Sequence, residues 1–88
     1  MAGHTVDFAP SAERAMRRLP TEIQKRLVMA AEGLGDKPRP QGVKKLSGEH
    51  DVWRVRVGPY RMVYEIDDRG RQVTILRVAH RKDAYRKR

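Results

Sequence analysis

Cations crowd the second half of the chain, and their spacing is that of a strand. Arg54 and Arg56 stand two apart in the run 52–57 (VWRVRV). Arg61 follows the Gly58-Pro59 turn, and Arg77, His80, Arg81, Lys82 and Tyr85 come near the end. Residues two apart on a strand share a face at about 7 Å, close to the spacing of successive phosphates along an extended RNA strand. Three guanidinium groups gathered there repel one another unless an anion lies between them. The paired N–H donors of arginine suit a phosphate whose transition state gains negative charge. RNA brings its own nucleophile, the 2′-hydroxyl, so cations, one proton acceptor and one aromatic ring suffice for cleavage without metal or covalent intermediate. A merely solvated basic face is the competing reading.

His80 is the candidate proton acceptor, because imidazole alone titrates near neutrality without perturbation, and the cations Arg61, Arg81 and Lys82 favour its neutral form. The alternative is a structural histidine bonding a strand-end carbonyl. Tyr85 offers a ring for stacking on a base and a phenol for a phosphate, or else packs the tail on the sheet. Lys44, Lys45, Arg77 and Lys82 are expected to contact the RNA backbone. His4 and His50 read as incidental. The sequence has no Gly-rich phosphate loop, no His-x-x-x-His pair and no Ser-His-Asp set, so neither a metal site nor a cofactor is expected.

These residues need a scaffold, and the hydrophobic periodicity supplies one. Thr5 to Phe8 reads as a short strand ended by Pro10. Ala12, Ala15, Met16 and Leu19 then share one helical face, with Ser11 or Ala9 as the cap. Pro20 separates this helix from a second, whose stripe is Ile23, Leu27, Ala31 and Leu34 and which Gly33 and Gly35 are expected to stop. The segment 35–42 (GDKPRPQG) is a connection. Beyond it the period falls to two. Trp53, Val55 and Val57 alternate with Arg54 and Arg56; Tyr60, Met62, Tyr64 and Ile66 alternate with Arg61, Val63 and Glu65, placing the aromatics inside and the arginines outside. A third strand runs from about Gln72 to Ala79 with an ambiguous phase. The expectation is a single α+β domain over residues 1–88: an N-terminal strand, an αα-hairpin, then a three-stranded antiparallel meander with the helices on one sheet face. A short C-terminal tail or helix completes it.

Composition narrows the class. Eighty-eight residues support one modest core, and with no cysteine neither disulfides nor thiolate metal sites can staple it. The net charge is +9, of which residues 44–88, with thirteen basic and six acidic side chains, carry +7. A polyanion is therefore the first partner to consider. The opening MAGHTVDFAP lacks a signal-peptide core, and no segment approaches the roughly 18 apolar residues of a membrane span. A cytoplasmic protein with no membrane partner is expected.

The runs Lys45-Leu46, 52–58 (VWRVRVG), 60–66 (YRMVYEI) and 78–85 (VAHRKDAY) resemble the RelE/ParE toxin superfamily of bacterial toxin–antitoxin modules. The likeness covers nearly the whole chain; its most specific pieces are the R-x-R-V-G-x-Y-R-x-x-Y hairpin and the H-R-x-x-x-Y ending. RelE-like members cleave mRNA in the ribosomal A site, whereas ParE-like members poison DNA gyrase. The ending with Arg81 and Tyr85 looks like the RelE branch. The resemblance thus implies a metal-independent endoribonuclease that needs a ribosome carrying mRNA and rRNA. Arg61 and Arg81 would hold the phosphate, and Tyr85 would stack or handle a proton. Arg54 and Arg56 stand where the best-known RelE-like toxins have lysines; arginine keeps its proton, so either His80 accepts it or the ribosome supplies that group. The resemblance also implies a cognate antitoxin, with operator DNA bound only through the antitoxin complex. A gyrase inhibitor and a non-catalytic nucleic-acid-binding module are the alternatives.

Overall fold

The computed structural model describes residues 3–46 and 51–84, the last two by their backbone alone. Its elements are β1 (Thr5–Phe8), α1 (Pro10–Arg17), α2 (Thr21–Asp36), β2 (Lys44–Lys45), β3 (Val52–Val57), β4 (Tyr60–Asp67), β5 (Gln72–His80) and α3 (Arg81–Ala84). The strands form one sheet in the order β1-β5-β4-β3-β2. β1 runs parallel to β5, and the remaining neighbours are antiparallel.

The consecutive pairs β3–β4 and β4–β5 follow from the alternation in the sequence. The expected three-stranded sheet is nevertheless too small: it is five-stranded and mixed. β1 joins through a long-range parallel pairing, Thr5 with Gln72 to Phe8 with Ile75, that no local pattern announces. β2 is only two lysines long, too short to show a period.

Both helices lie on one face. Ala12 and Met16 of α1 and Leu27, Ala31 and Leu34 of α2 form the core with Met62, Tyr64, Ile66, Val73, Ile75 and Val78 of the sheet. α1, of 8 residues, is too short to be stable alone, and for both helices burial of these stripes on the sheet supplies most of the hold. Pro10 occupies the first turn of α1, where its missing N–H costs nothing. Ala9 stands at the cap position without a side-chain bond; Ser11, the other expected cap, lies inside the helix. Glu13 and Arg17, one turn apart, pair at 2.9 Å.

α2 does not stop at Gly33 or Gly35 but runs through both to Asp36. Tertiary contact explains Gly35. Its carbonyl accepts the His4 N–H at 2.7 Å, and a Cβ there would stand 2.7 Å from the His4 carbonyl oxygen. The close approach of the chain ahead of β1 to the end of α2 thus requires glycine in a helix, offsetting a propensity cost of about 1 kcal/mol.

The ambiguous phase of the third strand is a β-bulge. Met62 faces Val78 and Val63 faces Arg77, yet Tyr64 faces Ile75, leaving Leu76 unpaired. The extra residue puts both Ile75 and Val78 in the core and turns Arg77 and Ala79 to the opposite face. Among the described residues no helix is long and apolar enough to cross a membrane.

Candidate nucleic-acid interface

The face of the sheet away from the helices is built from the outward residues of β3, β4 and β5. Arg56 stands directly across from Arg61, Arg54 from Val63, Arg61 from Ala79, and Val63 from Arg77. Arg54, Arg61, Val63, Arg77, Ala79 and Leu46 line a trough of about 150 Å³. Its lining is half cationic and half apolar. A second hollow of about 280 Å³ extends it over Gly42, Lys44, Arg54 and Arg56; Lys44 reaches this face because β2 pairs it with Arg54.

Arg61 lies on the face expected for it, but it is not an exposed surface arginine: only 7% of it is accessible. Burial of a guanidinium raises the energetic stakes of everything it touches. Among the described residues, no ion pair joins Arg54, Arg56 or Arg77 to a carboxylate. Glu65, an outward residue of β4 two positions beyond Val63, is exposed and does not line the trough.

His80 does not join this cluster. It pairs with Tyr60, so it faces the helix side of the sheet, behind the arginines. Its ring meets Tyr60 edge to face at 5.1 Å between centroids. Its Nδ1 accepts the backbone N–H of Lys82 at 3.1 Å, which makes His80 the side-chain cap of α3. The neutral ring therefore carries its proton on Nε2. This is a structural bond, but not the strand-end carbonyl bond expected of a structural histidine: the ring accepts an amide N–H from α3 instead.

Arg81 and Lys82 are exposed at the start of α3. The Arg81 N–H donates to the Pro59 carbonyl at 2.7 Å, tying the tail to the β3–β4 turn. Gly58 takes φ +59° in that turn, with Arg26 packed over it. Lys45 departs from expectation: β2 pairs it with Trp53, so it lies on the helix side, its Nζ 5.9 Å from the indole centroid. Tyr85 and His50 lie outside the described residues.

At the far end of the sheet lies a polar network that no sequence pattern announces. Arg39, in the connection after α2, bonds Asp51 at 2.6 Å and Asp68 at 2.8 Å. Asp51 also accepts the Trp53 indole N–H at 2.5 Å. His4 reaches Asp68 at 3.0 Å, so it is not incidental. The Trp53 bond, with Arg39 beside it, holds the Asp51 carboxyl below the usual range. Arg39 and then His4 do the same for Asp68, and the two acids raise Arg39, the Asp68 bond contributing most. Tyr64 donates its hydroxyl to the Pro38 carbonyl at 2.6 Å, and burial pushes its pKa up to about 12.

The family model described as the ParE toxin of type II toxin–antitoxin system, parDE, matches residues 6–85. Toxin RelG of Mycobacterium tuberculosis is 39% identical over 88 residues, 96% of this chain and 98% of the relative. The chain belongs to the RelE/ParE toxin superfamily. Toxin RelE3 of Methanocaldococcus jannaschii is 32% identical over 84 residues, 89% of this chain and 91% of that one. Among solved structures, the toxin–antitoxin complex RelBE2 from M. tuberculosis superimposes with a TM-score of 0.79 at 36% identity, covering 91% of this chain and 93% of its counterpart. The protein is thus the toxin of a type II toxin–antitoxin module.

Proposed function

We propose that this toxin is a ribosome-dependent endoribonuclease that acts in the cytoplasm on mRNA in the A site and is silenced by a cognate antitoxin. The observation that carries the reading is Arg61, nine-tenths buried at the heart of a trough whose rim holds Arg54 and Arg77. A phosphodiester lying in the trough meets charge-assisted donors fixed in advance, which favour its transition state more than its ground state. Arg54, Arg56, Arg77 and Lys44 hold neighbouring phosphates. The family resemblance assigns Arg81 a further phosphate contact and Tyr85 stacking or proton handling.

In the reaction the 2′-oxygen attacks the adjacent phosphorus and the bond to the 5′-oxygen breaks. A 2′,3′-cyclic phosphate and a 5′-hydroxyl result. One proton leaves the 2′-hydroxyl and another is delivered to the 5′-oxygen. His80 is poorly sited to accept the first, because it lies behind the sheet and its Nδ1 lone pair already holds Lys82. The proton acceptor is therefore assigned to the ribosome, and His80 becomes a positioning residue that caps α3 and orients Arg81. No metal or cofactor enters this scheme.

The antitoxin reading rests on the relatives solved as toxin–antitoxin complexes; an acidic partner segment suits the basic face, and operator DNA would be bound through that complex. The ParE family match favours a second reading, inhibition of DNA gyrase. Purified toxin assayed on naked message, on programmed ribosomes and on gyrase separates the two. Cleavage only on programmed ribosomes is expected, and inhibited supercoiling with intact message would replace it with the gyrase reading.

A further inference from the structure

A separate hollow lies on the helix side of the sheet, away from the trough in which the bond is cut. It measures about 290 Å³ and is lined by Arg18, Leu19, Tyr60 and His80, with Ala15, Val78 and Ala79 as its apolar wall. That volume sits at the lower edge of the roughly 300–1,000 Å³ of small-molecule pockets, the size for one ring system rather than a large ligand.

Three observations define its chemistry. The Tyr60 and His80 rings stand at 81° to one another, so together they make a corner with one flat wall and one edge. Because His80 Nδ1 is occupied by Lys82, the ring is left with an Nε2–H donor. Arg18, at the C-terminal end of α1, is exposed and forms no ion pair with any described carboxylate. A flat wall, a hydrogen-bond donor and a cation together match a nucleotide: base on the ring, base acceptor on Nε2–H, phosphate on the guanidinium.

The hollow also communicates with the trough. Ala79 lines both, while Arg77 lines the trough and a third hollow over Ser11, Leu76 and Val78. β1 pairs with β5 only as far as Ile75, so among the described strands none covers the edge from Leu76 to His80. A single RNA strand leaving the trough past Arg77 can turn over this edge.

We propose that the Arg18–Tyr60–His80 hollow binds one unstacked nucleotide of single-stranded RNA lying outside the cleaved bond. The inference rests on the ribonuclease reading, and it makes Tyr60 and Arg18 determinants of which RNA is held. A protein segment bound at the same edge is the competing occupant.

The test is an amide and imidazole NMR titration of the full-length toxin with AMP, UMP, inorganic phosphate and a short single-stranded RNA. A ribosome-bound codon is not needed for it. Nucleotides, and not phosphate at equal concentration, are expected to shift Arg18, Tyr60 and the His80 Nε2 signal. Arg18→Glu, a surface change that leaves the core intact, should weaken nucleotide binding at least about fivefold, and Tyr60→Leu should weaken it by at least as much where it folds. Shifts reproduced by phosphate alone, or a hollow that stays silent while Arg54, Arg61 and Arg77 respond to RNA, overturn the inference and leave the ribonuclease reading standing. Displacement by an antitoxin peptide with no response to any nucleotide overturns it in favour of the protein occupant. A trough that ignores RNA, with intact message in cells, sinks the ribonuclease reading itself.

Discussion

Arg39 and Arg61 sit at opposite ends of the β3–β4 hairpin, the first between two carboxylates and the second with Arg56 directly across from it and Arg54 and Arg77 beside it. Arg39 has its field cancelled within the fold. It ties the connection after α2 to the segment before β3 and to the β4–β5 turn, and its ring contact with Trp53 at 5.7 Å adds to the hold. In the trough, Arg54, Arg56 and Arg77 pair with no described carboxylate and leave a field for an outside anion. One end of the sheet uses its charge for the fold; on the proposed reading, the outer cations of the other end serve a ligand. Substitutions at the two ends should therefore separate stability from activity.

The largest separation is expected at Arg61. Arg61→Ala should lower single-turnover cleavage on ribosomes about a hundredfold or more, as for one lost transition-state donor, while thermal unfolding stays cooperative. Cleavage at the wild-type rate would remove Arg61 from the site. At the other end, Tyr64→Phe leaves the Pro38 carbonyl without its 2.6 Å donor and should cost about 1–2 kcal/mol in denaturant unfolding. The activity of the folded fraction should not change.

Arg39→Ala comes next, at about 1 kcal/mol, since the pairs it loses are partly exposed. Its signature is pH. Asp51 and Asp68 titrate below their ordinary values in the folded state, so the unfolded chain binds more protons as acid is added. Their contribution is complete above about pH 4 and lost as pH falls through the depressed folded values. Arg39→Ala should flatten that acid limb of the stability curve; an unaltered limb would show that the network does not carry it. The smallest effect on chemistry is expected at His80. His80→Gln should slow the chemical step far less than Arg61→Ala, because the ring lies behind the sheet and caps α3; a loss as large as that of Arg61→Ala would return His80 to the chemistry.

Local pattern made β3 and β4 legible, because Arg54, Arg56 and Arg61 alternate strictly with residues that pack inward. It failed where pairing or tertiary contact decides. The bulge at Leu76 is invisible until β5 is laid against β4, yet it alone turns Arg77 outward. Lys45 and His80 belong to cationic runs that look alike in sequence, but register sends each to the helix side. Gly35 reads as a helix stop and is instead the point where His4 presses on α2. The burial of Arg61 depends on neighbours from three strands, so no spacing within one strand reveals it.

The central claim, that the trough cuts translated message, is tested most directly by inducing the toxin in bacteria without its antitoxin and mapping 5′ ends along a translated and an untranslated copy of one message. New 5′-hydroxyl ends confined to the translated frame, and absent with Arg61→Ala at equal folded protein, are the predicted result. Intact message in growth-arrested cells, or cuts made equally in the untranslated copy, would contradict it.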